Sequence, residues 1–194
     1  IKEIEHRLDI QTDGAKFQVH LLDENINRNR GTLYAEFGVE QSHALVKTAW
    51  EDITDDLMGD ERRRVTARKI NLKKTDYGYS TTTGVYDLKI YEDPFYFEIV
   101  DQNGNVVHQD LANRSFVQDD NNRSFHYSTM TDDDKFYGFG EKSGELNKFR
   151  RRMRMHNVDS LGWSAKTSEP FYKHSPFYID LDEKNKSASG VYYY

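Results

Sequence analysis

The stretch "YSTTTGVYDLKIYEDPFYFEIVDQNGNVVHQD", residues 79–110, carries the clearest fold signal in the chain. Tyr, Phe, Val, Ile and Thr dominate it, and these residues suit a pleated, half-buried surface. It is punctuated twice, at Asp93-Pro94 and at Asn103-Gly104. An Asn-Gly pair accepts the positive φ angles of a tight turn, so "FYFEIV" and "NVVHQDL" are predicted to form a hairpin. With "GVYDLKIYE" before Asp93-Pro94, three strands follow one another with almost no connecting chain.

The same grammar extends in both directions. Upstream, "KFQVHLLD" (16–23), "GTLYAEFGVE" (31–40), "ALVKTAW" (44–50) and "RVTARKINLKK" (64–74) read as strands separated by polar turns. The segment "EDITDDLMGDERRR" (51–64) suits either a short helix or an acidic loop. Downstream, "SFVQDD" and "SFHYSTM" flank a turn at Asn121-Asn122. Short strands with a turn signal between each pair predict an all-β sandwich. With no repeat, linker or low-complexity segment, one domain over residues 1–194 is the economical reading.

Composition narrows the function classes. The chain has 194 residues, 31% charged and 36% hydrophobic, with 13% aromatics, which is enough apolar material for a core. Its net charge of -6 opposes a general nucleic-acid binder, which needs a basic surface. No apolar run reaches the roughly 18 residues of a membrane span. The absence of cysteine excludes disulfides and thiolate metal sites and suits a cytoplasmic location. The charged start "IKEIEHRLDIQTDG" is no secretory signal, and without an initiator Met the chain reads as an excised piece of a longer protein.

Single motifs are weak. The seven histidines (His6, His20, His43, His108, His126, His156, His174) are scattered, and no pair has the i, i+4 spacing of a helical metal site. They read as ordinary surface or strand residues, with no metal and no cofactor expected. "GFGEKSG" (138–144) lacks the order of a phosphate-binding loop and reads as a glycine turn that brings backbone close to another element. "ERRRV" (61–65) and "KFRRRMR" (148–154) read as solvated faces or local ion pairs, and Asp132-Asp133-Asp134 as a polar loop.

Several elements in order are far more specific than any one of them. "YGFGEKSGELNKFRRRMRMHNVDSLGW" followed by "EPFYKHSPFYI" closely resembles the N-terminal domain of glycoside hydrolase family 31. The matching parts are Tyr137-Gly138-Phe139-Gly140-Glu141, Arg154, Asn157-Val158-Asp159, and Tyr172-Lys173-His174-Ser175-Pro176-Phe177-Tyr178-Ile179. The resemblance covers about residues 76–194 by motif and the earlier part by position. It looks more like bacterial α-glucosidases than like α-xylosidases. His156 and Val158 stand where Trp and Thr are common, and Trp163 where Tyr is common, leaving sugar and linkage open.

The resemblance implies a galactose-mutarotase-type β-sandwich with a long loop near its C-terminal end. A catalytic (β/α)₈ barrel would follow in the parent chain and supply the retaining pair of carboxylates. This chain alone would then be inactive, with no catalytic residue of its own. Its long loop would line the substrate pocket, with Asp159 accepting hydroxyl hydrogen bonds from an oligosaccharide. Trp163 and Phe171 would wall the sugar, while Arg154, Asn157 and Glu141 would brace the loop. Two other readings compete: a free-standing carbohydrate-binding module, and a scaffold domain that touches no ligand.

Overall fold

The computed structural model describes residues 1–4, 7–12, 16–24, 31–38, 65–67, 71–82, 84, 86–121, 123–168 and 171–193. These are strands and connections, with no helix among the described residues. Contacts divide the chain into two compact units, Ile1–Ser128 and Thr129–Tyr194.

The first unit holds two five-stranded antiparallel sheets. In one, β1 (Lys2–Ile4), β2 (Arg7–Gln11), β3 (Lys16–Glu24) and β4 (Gly31–Gly38) follow in order. The short β5 (Val65–Ala67) pairs with the last residues of β3, Leu22–Glu24, beyond the part of β3 that pairs with β2. The other sheet is a meander of β6 (Lys73–Thr75), β7 (Gly78–Thr82), β8 (Tyr86–Glu92), β9 (Phe95–Asp101) and β10 (Val106–Gln109). A small hairpin of β11 (Phe116–Gln118) and β12 (Ser124–His126) completes the unit.

The core identifies the arrangement as a sandwich. Leu8 and Ile10, two residues apart on β2, share one face of the first sheet and cluster with Leu88, Ile90 and Phe97 of the second. Leu8 and Ile90 have no exposed surface, and burying such a side chain contributes about 1.5–3 kcal/mol. Leu72, Tyr79, Phe95, Ile99 and Phe116 pack around them. On the opposite face of the second sheet, Glu98 accepts from Lys89 (2.6 Å) and Gln109 (2.7 Å) across its two neighbouring strands. Beside that row, Tyr91 stacks on Tyr96 at 4.0 Å.

The hairpin predicted at Asn103-Gly104 is present. The Asp101 carboxylate accepts from the amides of Asn103 and Asn105, both at 2.8 Å, while Gly104 takes φ 83°. Two strands went unread, and one expectation needs correction. The N-terminal segment forms β1 and β2, although its charged residues hid the alternation of Leu8 and Ile10. "RVTARKINLKK" is not one strand: β5 joins the first sheet and β6 opens the second. The segments 44–50 and 51–64 lie outside the described residues.

In the second unit β13 (Asp134–Gly140), β14 (His174–Asp182) and β15 (Ser187–Tyr192) form an antiparallel sheet. The glycine turn does bring backbone close to another element. Gly138 and Gly140 have φ 119° and 78°. A Cβ on them would fall 2.8 Å from the Phe177 carbonyl oxygen and 2.6 Å from the Ser175 amide nitrogen. Only glycine lets β13 approach β14 so closely at this bulge. Between them, Phe139 also holds a positive φ, with its ring stacked on Tyr178.

Candidate functional site

The connection from β13 to β14, residues 141–173, contains no strand among its described residues, yet hydrogen bonds order much of it. It first returns to β13: Lys148 N–H donates to the Phe136 carbonyl (2.8 Å), and the Asn147 side chain accepts from Phe136 N–H (3.1 Å). Lys148 departs from its expected solvated role. It is buried, and its ammonium donates to the carbonyls of Ser143 (2.9 Å) and Glu145. Nor are the three aspartates uniformly polar loop: Asp134 is buried at the start of β13, while exposed Asp132 pairs with Arg150 at 2.7 Å. The "ERRRV" run falls largely outside the described residues.

The two ends of the loop are laced together. Glu141 N–H donates to the Lys173 carbonyl (2.9 Å), and its carboxylate accepts from Lys173 N–H (3.1 Å). The Asn157 side-chain oxygen accepts from His174 N–H (3.0 Å) and lies 2.7 Å from His174 Nδ1. Val158 N–H donates to the Phe171 carbonyl at 3.0 Å, and Gly144 N–H to Ala165 at 2.7 Å. Arg154 takes part through its backbone, whose carbonyl accepts from Lys142.

These ties present a small exposed group of side chains. Asp159 is exposed, and the Tyr172 hydroxyl donates to its carboxylate. That hydrogen bond, reinforced by the carboxylate charge, raises the Tyr172 phenol above its ordinary value. Trp163, 59% exposed, sets its ring edge against Phe171 at 6.0 Å. The arrangement thus offers an oriented acceptor, which suits a pair of hydroxyls, and an aromatic pair, which suits an apolar ring face. Asn157 and Glu141 hold backbone in place. Tyr172 is the member that residue-by-residue reading missed, although its place in the "YKHSPFYI" run marked it.

A second constellation lies in the first unit. His108 on β10 and Asp110 just beyond it share a strand face, and the pairing of Phe116 with His126 across β11 and β12 delivers His126 beside them. Both imidazole Nε2 atoms converge on one Asp110 oxygen, at 3.0 Å and 2.8 Å, while the other oxygen accepts from Phe97 N–H at 3.0 Å. Burial pushes the Asp110 carboxyl up, but the hydrogen bonds from the two histidines and the His126 charge outweigh it and hold it below the ordinary range. The histidines are therefore not all scattered. The i, i+2 spacing of His108 and Asp110 was visible as a shared strand face, but His126 is brought in by tertiary pairing.

Comparison with known proteins agrees with this architecture. An α-glucosidase 2 of Bacillus thermoamyloliquefaciens is 25% identical over 190 residues, covering 97% of this chain and 22% of that protein. A family 31 dextranase of Flavobacterium johnsoniae, solved with glucose, superposes with a TM-score of 0.64 at 16% identity, over 93% of this chain and 22% of that one. An uncharacterized Listeria monocytogenes protein, solved with α-D-glucose, β-D-glucose, magnesium and calcium, does so with 0.55 at 15% identity, over 92% and 16%. The chain thus spans about a fifth of the length of such relatives. Residues 16–194 match the family described as the glycosyl hydrolase 31 N-terminal galactose mutarotase-like domain, and the chain belongs to that family.

Proposed function

We propose that this chain is the N-terminal domain of an α-glucosidase that hydrolyses α-linked oligosaccharides with retention, and that its 141–173 loop lines the substrate pocket. The two catalytic carboxylates of a retaining glycosidase would come from a barrel elsewhere in the parent protein, one as nucleophile and one as acid and base. This chain contributes recognition. The observation that carries the reading is the exposed Asp159 carboxylate, oriented by Tyr172 on a loop tied at both ends. An ionised carboxylate with fixed geometry accepts two hydroxyl hydrogen bonds, and so selects a vicinal diol. Trp163 and Phe171 would border the sugar ring, and the cysteine-free composition supports a cytoplasmic setting.

The test is Asp159→Ala in the full-length parent enzyme, assayed on an α-linked glucose disaccharide. Losing hydrogen bonds to a charged group should lower kcat/KM about 10- to 100-fold, with the melting temperature retained. Unchanged kinetics would remove Asp159 from the pocket. A free-standing sugar-binding module predicts instead that the isolated chain binds glucose oligosaccharides at millimolar concentration.

A further inference from the structure

We propose that His108, Asp110 and His126 form a binding site for a divalent transition-metal ion of the zinc type. Two imidazoles and one carboxylate are a donor set that suits zinc, with a remaining position for water. Their ligand atoms all lie within 4.8 Å of one another. In a tetrahedral zinc site, bonds of about 2.0–2.2 Å place neighbouring ligand atoms about 3.3 Å apart. The present nitrogen-to-oxygen separations of 3.0 Å and 2.8 Å need to open by only a few tenths of an ångström, while the two rings draw together.

The surroundings hold these donors in place as a metal site requires. Phe97 N–H fixes the second Asp110 oxygen, leaving the first to face both rings. The His126 ring is stacked on Phe116 at 4.5 Å and 9°. Asp110 is 1% exposed, and among the described residues its carboxylate contacts two imidazoles and a backbone amide, with no lysine or arginine. A buried carboxylate in that setting gains from a divalent charge. The two histidine side chains keep 22% and 19% of their surface exposed, so an ion and its water can reach the site. The cluster shares no residue with the 141–173 loop, and the inference does not depend on the proposed sugar-binding role.

The chain, stripped by a chelator, would be titrated with Co2+ alone by visible absorption and with Zn2+ alone by calorimetry. One ion per chain is expected, with the strong visible bands of a low-coordinate cobalt site. His108→Gln or His126→Gln should weaken binding at least tenfold, and His156→Gln should not. Because the first two variants alter a buried cluster, imidazole NMR of the wild-type chain decides independently. Zn2+ should move the ring signals of two histidines, assigned as His108 and His126, and leave the other five in place. No stoichiometric binding, or binding that moves other rings, would show that the cluster is a hydrogen-bonded knot without a metal and overturn the proposal.

Discussion

The Tyr172 hydroxyl donates a hydrogen bond to the Asp159 carboxylate, joining the last turn of the 141–173 loop to its middle. The two residues are thirteen positions apart, and the backbone bond from Val158 to Phe171 brings their segments together. Tyr172→Phe should keep the fold and raise KM for an α-glucoside about threefold in the full-length enzyme, the scale of one solvent-accessible hydrogen bond. The same pair can be tested in the free chain. The Tyr172 phenol should titrate above an ordinary tyrosine and return toward the ordinary range in Asp159→Asn, followed by its NMR signal.

Gly140→Ala tests the close approach of β13 to β14. The substitution places a Cβ 2.6 Å from a backbone nitrogen at φ 78°, so both contact and conformation oppose it. A loss of about 1–3 kcal/mol is expected, read as a lower midpoint in urea. Stability equal to wild type would show that the bulge is not held as described.

Lys148→Met tests what orders the loop. The substitution keeps the aliphatic length but removes the donor to the Ser143 and Glu145 carbonyls. Leaving such groups unpaired costs about 1–3 kcal/mol. Amide exchange should accelerate in residues 141–150 and remain unchanged in β8 and β9. Uniform exchange across the variant would mean that the buried ammonium has no local role.

Leu8→Ala tests whether the N-terminal strands belong to the core. Leu8 has no exposed surface and packs in the cluster of Leu88, Ile90 and Phe97. A loss of about 2–5 kcal/mol is expected, a large fraction of the stability of a single domain. A change below 0.5 kcal/mol would detach β1 and β2 from the sandwich, on the scale of ordinary surface substitutions.

Some of this was legible residue by residue. Strands β8 to β10 follow from local chemistry: alternating side chains, a turn at Asp93-Pro94 and a hairpin at Asn103-Gly104. Those preferences act over two to eight residues and need no partner. The family resemblance was likewise carried by ordered motifs, and it directed attention to Asp159 and the loop. Strand β2 was not read, and β5 was read only as part of one longer strand. Each is short enough that pairing with β3, more than intrinsic preference, makes it a strand.

Tertiary structure decided what residues far apart in the chain do together. Lys148 reads as one more cation in a basic run until the loop folds back and surrounds its ammonium with carbonyls. His126 reads as a strand histidine until the β11–β12 pairing sets it against Asp110 and His108. Tyr172 reads as part of a strand motif until Val158 binds Phe171 and brings its hydroxyl to Asp159. Sequence alone determined strands β8 to β10, their turns and the family, because those depend on neighbouring residues. Only the tertiary structure decided the sites, because a hydrogen bond or metal ligand set requires atoms to meet within a few ångströms, whatever their separation along the chain.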